Sequence, residues 1–136
     1  MSNTFIAHIL AADRNFYEGP LESLIVPTIN GQYGVLAKHR NMIGAIEPGE
    51  LKYKIPGEDF KIAAISKGLM KVENNDVLIL VDSCEKPEEI DENRAKKALA
   101  NAKEELMQHK SMIEYRRAKA NLARAINRLK VKHSHI

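Results

Sequence analysis

Cys84-Glu-Lys-Pro-Glu-Glu-Ile-Asp-Glu-Asn-Arg-Ala95 separates two kinds of sequence. Before it, Gly, Pro and Asn punctuate the chain at short intervals; beyond Ala95 neither Gly nor Pro occurs again. Pro87 suits a first helical turn or the residue leading into one. Glu88, Glu89, Asp91 and Glu92 suit the positive end of a helix dipole, and Asp91 is placed to cap the free amides of the next turn. The stretch is therefore a linker and a helix start, and it divides a domain of residues 1–86 from a segment of residues 87–136.

Working back from the junction, the pattern is that of short strands. Residues 4–12 are apolar enough for a strand buried on both sides, and Asp13-Arg14-Asn15 supplies a turn. Residues 22–28 are rich in aliphatic and β-branched side chains, with Pro27 predicting an edge position or a strand end. Gly31 and Gly34 flank Tyr33 and imply a tight backbone excursion before Val35 and Leu36 re-enter the core. Leu51, Tyr53 and Ile55 alternate with Lys52 and Lys54, a half-buried strand lying between turns at 47–50 and 56–59. Phe60, Ile62 and Ala64 return as its partner, and Glu73-Asn-Asn-Asp76 is a hairpin turn between residues 69–72 and 77–81. Many short strands without a helical period predict an all-β sandwich or barrel with no parallel sheet.

Working forward, the period becomes helical. Ala95, Ala98, Leu99, Ala102 and Leu106 form one stripe, and Tyr115, Ala118, Leu122, Ala125 or Ile126, and Leu129 form another. Gln108-His109-Lys110-Ser111 between them is a plausible reversal, which predicts an antiparallel helical hairpin. Alanines let two helix axes approach closely but bury little area, so this seam is weak at ~25 cal/mol per Å². The same residues also suit one continuous helix from 91 to 131, roughly 60 Å long at about 1.5 Å per residue.

Charge divides at the same place. Residues 1–86 carry 9 Lys/Arg and 11 Asp/Glu, residues 87–136 carry 12 and 7, and beyond residue 105 there are 8 basic residues against Glu114 alone. Such a tail suits an acidic partner or a nucleotide phosphate. A nucleic-acid module is a weaker reading, because the tail offers only Tyr115 for stacking; a coiled-coil adaptor through the Tyr115 to Leu129 seam is another. The single Cys84 cannot form an internal disulfide and favours a reducing compartment. No apolar run approaches the ~18 residues of a membrane span, and the N-terminus lacks the pattern of a secretory signal.

No catalytic or metal-ligating constellation is present. His8 alternates with apolar neighbours, as a core or edge residue does. His39 has no nucleophile partner, and Gly31-x-x-Gly34 lacks the G-K-[ST] of a phosphate loop. The terminal His133 and His135 read as disordered. An enzyme is poorly supported.

Three elements in order carry a resemblance: G-Q-Y-G-V-L-A-K-H at 31–39, A-I-E-P-G-E-L at 45–51, and I-D-E-N-R-A at 90–95. With the Ala-rich basic tail behind them, the chain resembles the epsilon subunit of bacterial F-type ATP synthase over nearly its full length. It departs at Ala37-Lys38, where that family often has Pro-Gly, and at Ser66-Lys67-Gly68-Leu69, where it often has Ser-Gly-Gly-Phe. The resemblance implies a ten-stranded β-sandwich followed by an antiparallel helical hairpin. It also implies a non-catalytic rotor protein on the cytoplasmic face of the cell membrane, attached only through its complex, that needs no cofactor. The implied partners are the gamma subunit, the ring of c subunits and the alpha and beta subunits of the catalytic hexamer. A loop carrying Gly31, Tyr33, Gly34, Lys38 and His39 would face the ring. The helices would act as a mobile brake on ATP hydrolysis, and ATP as a regulatory ligand would bind Glu85, Ile90, Asp91, Arg94, Ala95, Arg124 and Arg128.

Overall fold

A computed structural model describes residues 3–107 and 112–134, with the side chains of 112–114 left aside. Two compact units make up the chain, Met1–Glu85 and Lys86–Ile136.

The first unit is a sandwich of two five-stranded sheets. In chain order the strands are β1 (Phe5–Ala11), β2 (Arg14–Leu21), β3 (Ser23–Thr28), β4 (Gly31–Leu36), β5 (Met42–Ile46), β6 (Gly49–Lys54), β7 (Phe60–Ile65), β8 (Gly68–Glu73), β9 (Asp76–Val81) and β10 (Cys84–Glu85). One sheet has the order β2-β1-β9-β8-β5 and the other β10-β7-β6-β3-β4. Their inner faces bury Phe5, Ile9, Leu21, Leu24, Leu51, Ile65, Met70 and Ile79, the aliphatic core that period-two alternation requires. Leu51 and Tyr53 point inward as the alternation predicts, and their register partners are Ala63 and Lys61. The inward residues of β7 are thus Ala63 and Ile65, while Phe60 is exposed.

Two expectations are corrected. β1 alternates between buried and accessible positions, so it is covered on one side only. It also pairs in parallel with β9, from Ile6 opposite Asp76 to Ala11 opposite Val81. A parallel partner lies far along the chain, and no turn residue announces it. Elsewhere local chemistry decides the pairing. Asn74 and Asn75 take φ of 51° and 63° in the turn joining β8 to β9, the two-residue geometry whose twist matches the flanking strands. Gly68 opens β8 where a Cβ would stand 1.9 Å from the Leu80 carbonyl oxygen, so no side chain fits there.

The second unit begins with a 3-10 turn at Pro87–Glu89, continues as α1 (Glu92–Met107) and ends with α2 (Met112–Ser134). The expected reversal at 108–111 lies outside the described residues. The helices pack on each other through a seam in which Ala95 and Ala102 of α1 and Ala118, Ala125 and Val131 of α2 are buried. Of the two candidates at 125 and 126, alanine enters the seam and Ile126 is half exposed. His133 is helical and bonded, contrary to the disorder expected of it.

Candidate functional site

At the junction, acidic side chains satisfy the free amides that a helix start leaves. The Lys86 N–H donates to Glu89 Oε1 at 2.9 Å, and the Ile90 N–H to the Pro87 carbonyl at 3.2 Å. Asp91 caps α1, its Oδ1 accepting from the Arg94 N–H at 3.1 Å and its carbonyl from the Ala95 N–H at 2.9 Å. Ile90 and Ala95 are buried, so they shape the site and leave hydrogen bonding to their neighbours. The Asp91 and Arg94 side chains are exposed. Glu85 belongs to the sandwich unit, in register with Ala64 on β7.

The hairpin's own cross-links set its register. Asn121 Nδ2 donates to Glu105 Oε2 at 3.2 Å, His133 Nε2 meets Glu92 Oε1 at 2.9 Å, and Lys132 Nζ donates to the Pro87 carbonyl at 3.2 Å. α2 therefore runs antiparallel to α1, with its last turn beside the start of α1. In this register Arg128 and Arg124 lie one turn apart on α2, and Arg94 falls at a level about one further turn along the pair, roughly 5 Å per step. Arg124 is exposed and donates to Asn121 Oδ1; Arg128 is half-buried. The three arginines thus follow one another at successive levels along the hairpin.

Sequence patterning gave no hint of the clasp at the hairpin's open end. His133 and Lys96, the latter 3.5 Å from Glu92, gather round the Glu92 carboxylate. The hydrogen bond from His133, and secondarily the Lys96 charge, hold the Glu92 carboxyl below the usual carboxylate range. The partners are 41 residues apart, and only the hairpin brings them together.

In the sandwich, the residues expected to form one loop split into two features. Gly31 to Leu36 is β4, an edge strand on which Gly31, Gly34 and Leu36 are exposed. The loop proper is the turn that follows. The His39 N–H donates to the Leu36 carbonyl at 3.3 Å, and Lys38 sits at φ 63°. Pro-Gly is the favoured pair for such a turn, and Ala37-Lys38 stands in its place. Tyr33 reaches forward to this turn, its hydroxyl 2.9 Å from His39 Nε2. The Arg40 carbonyl, 2.8 Å from His39 Nδ1, can only accept, so Nδ1 carries a proton and in the neutral ring Nε2 accepts from Tyr33. Asn side chains missed by motif reasoning brace the turn. Asn75 Oδ1 accepts from the Lys38 N–H at 2.6 Å, and Asn41 Oδ1 from the Asn74 N–H at 3.0 Å.

The outer face of the β2-β1-β9-β8-β5 sheet is the third feature. Leu10, Leu80, Leu69 and Ala45 are register neighbours across four strands, and Leu80 (46% exposed), Leu69 (54%) and nearby Ile43 (74%) are accessible. An apolar row of this kind marks a protein contact. Beside it, His8 bridges Glu18 on β2 at 2.7 Å and Asp76 on β9 at 3.1 Å. This hydrogen bond, followed by that from Asn15, lowers the Glu18 carboxyl. An open recess of about 410 Å³ lies here, lined by His8, Lys71, Glu73, Asn74, Asp76 and Leu78. Among the described residues no group of three acidic, His or Cys side chains is placed to hold a metal, and no helix is long and apolar enough to cross a membrane.

Comparison with known proteins covers both units. Residues 4–87 match the ATP synthase Delta/Epsilon chain beta-sandwich domain, and residues 88–132 the long alpha-helix domain of the same chain. The ATP synthase epsilon chain of Ruminiclostridium cellulolyticum is 41% identical over 126 residues, 93% of each chain. That of Caldanaerobacter subterraneus subsp. tengcongensis is 44% identical over 132 residues, 96% of this chain and 95% of its own. In fold the chain is similar to a chain in the OSCP/F1/c-ring structure of Euglena gracilis mitochondrial ATP synthase, with a TM-score of 0.80 and 22% identity over 99% of this chain and 82% of that one. A sandwich with an apolar outer face, a Lys86–Ile136 unit seamed with alanine, and matches to both domains in order lead to one conclusion: the chain belongs to the ATP synthase delta/epsilon chain family.

Proposed function

We propose that this chain is the epsilon subunit of a bacterial F-type ATP synthase, a regulatory part of the central stalk that performs no chemistry itself. The match of both domains, in order, over residues 4–132 carries the reading. The sandwich binds gamma, which the apolar row on the β2-β1-β9-β8-β5 sheet supports. The Tyr33–Lys38–His39 turn and edge strand β4 meet the c ring. Attachment to the cytoplasmic face of the membrane is through that ring alone.

The helical unit is the brake. Its seam is mainly alanine, so the paired state is held by little apolar area and is open to control by partners. Closed, it aligns Arg94, Arg128 and Arg124 for the phosphates of ATP, with Asp91 available to a ribose or adenine donor and Ile90 and Ala95 forming the floor. A ligand that binds only the paired helices stabilises them by RT ln(1 + [L]/Kd). ATP then keeps the brake folded, and its loss frees the basic α2 for an acidic segment of the catalytic hexamer.

Calorimetric titration of the full chain with Mg-ATP tests the gate. Saturable binding that Arg124→Ala weakens about tenfold or more is expected from the loss of a charge-assisted pair. No heat at millimolar nucleotide would remove ATP from the mechanism and leave the helices under the control of protein partners.

A further inference from the structure

At the open end of the hairpin the two helix termini complement each other in charge. Glu92 stands in the first turn of α1, where the helix dipole favours an anion, and His133 in the last turn of α2, where it favours a cation. Antiparallel pairing sets these turns side by side, with His133 Nε2 2.9 Å from Glu92 Oε1. The partners are 41 residues apart, so the contact exists only while the helices are paired. The seam behind it buries mainly alanine, and one polar contact then weighs more against the little apolar area that holds the pair.

Among the described residues, the other charged groups at this end are of types that keep their charge near neutral pH. Lys96 on α1 is 3.5 Å from the same carboxylate oxygen. Lys132, beside His133 on α2, donates to the Pro87 carbonyl at 3.2 Å, and Lys130 is exposed. In the 3-10 turn Glu88 is exposed and Glu89 accepts from the Lys86 N–H, while Asp91 accepts from the Arg94 N–H. Histidine is the side chain whose charge ordinarily changes between about pH 5 and 8.

We infer that the His133–Glu92 contact is a proton-operated clasp, which fastens the paired helices when the imidazole is protonated and loosens them as the proton leaves. This deepens the reading of the helical unit as a brake and rests on that reading for its consequence in the assembled enzyme. A cation at position 133 meets Glu92 only in the paired state, so its contribution is present on the acidic side of the histidine range and lost as pH rises through it. Protonation of Glu92 undoes the same contact from the other side, at a pH that the His133 hydrogen bond, and then the Lys96 charge, hold below the usual carboxylate range. The clasp is tightest in the mildly acidic band between these two losses. Both side chains are accessible, His133 59% and Glu92 40%, and an exposed pair shifts an equilibrium by about two- to fivefold.

The test follows amide exchange in α1 and α2 of the full chain from about pH 5.5 to about 8.5, each rate divided by the chemical exchange rate at that pH. The opening constant of the helices should rise about two- to fivefold across this range in the wild type, with the strands unchanged. Glu92→Gln and His133→Asn should flatten the rise at the open level. His133→Lys, which keeps a cation at the position throughout, should flatten it at the closed level. A wild-type opening constant that ignores pH, or a rise that survives undiminished in Glu92→Gln or in His133→Lys, overturns the inference. ATP hydrolysis by the assembled enzyme separates it from the reading beneath it. If opening depends on pH and on His133 as stated, yet hydrolysis at about pH 8.5 is equal with wild type and His133→Lys, the clasp stands and the brake reading falls.

Discussion

The two units bury side chains of different size, and so they hold together with different strength. The sandwich core is mainly Phe, Leu, Ile, Val and Met; among its described residues the helical unit buries Pro87, Ile90, four alanines and Val131. A buried Leu or Ile contributes about 1.5–3 kcal/mol, whereas an alanine methyl contributes about 0.8. The difference gives the sandwich a larger apolar contribution per buried residue than the helical unit has. Polar ties also cross the helical unit, at Glu92–His133, Pro87–Lys132 and Glu105–Asn121.

The largest effect belongs to the scaffold. Leu51→Ala should destabilise the sandwich by about 3 kcal/mol in urea unfolding, because the core cannot collapse around the space left. A loss below about 1 kcal/mol would mean that the core is looser than its burial implies. In the helical unit, Ala102→Gly should cost about 1 kcal/mol, read as faster amide exchange along α1 and α2 with the strands protected as before. Equal acceleration in both units would break the comparison and show a single cooperative body.

A gain should follow from Lys38→Gly. Relief of the left-handed lysine outweighs the extra freedom of glycine in the unfolded chain by about 0.5 kcal/mol, read in urea unfolding. A variant no more stable than the wild type would show that the turn holds Lys38 without strain.

The smallest effect is electrostatic. Glu92 has a folded-state carboxyl lowered below 4.5, chiefly by His133 and then by Lys96. A lowered carboxylate stabilises above its unfolded value, and that contribution is lost as pH falls through the folded one. Helix content should therefore decline on acidification below about pH 4.5 more steeply in the wild type than in Glu92→Gln. Matching slopes would assign the decline to other carboxylates.

Much of this was legible in the sequence because it is local. Alternation placed Leu51 and Tyr53 inward, Asn74-Asn75 marked the tight hairpin, and Asp91 was identified as a helix cap from its neighbours alone. What escaped is what depends on distant partners. The parallel pairing of β1 with β9 leaves no turn signal, and β1 looked two-sided because its outward Ile6 and Leu10 belong to an apolar outer face. His133 looked like a frayed end until the hairpin delivered Glu92 to it. Gly31 and Gly34 suggest turns and so a single loop, yet Gly34 lies in the middle of an edge strand. Arg94, Arg124 and Arg128 are named by the resemblance alone, and their levels along the hairpin follow only from the antiparallel register.

The brace around Lys38 also has a mechanical meaning. The turn leaves β4 in one sheet and enters β5 in the other, and its ties to Asn74 and Asn75 fasten it to the β8–β9 turn. Asn75 is in turn anchored to the Thr4 carbonyl beside β1. A sideways force on Lys38 is thus passed into the adjacent central strands β9 and β1, not absorbed by bending of the turn. Four asparagine hydrogen bonds, the last from the Ile6 N–H to the Asn75 carbonyl, thus make this end of the sandwich stiff.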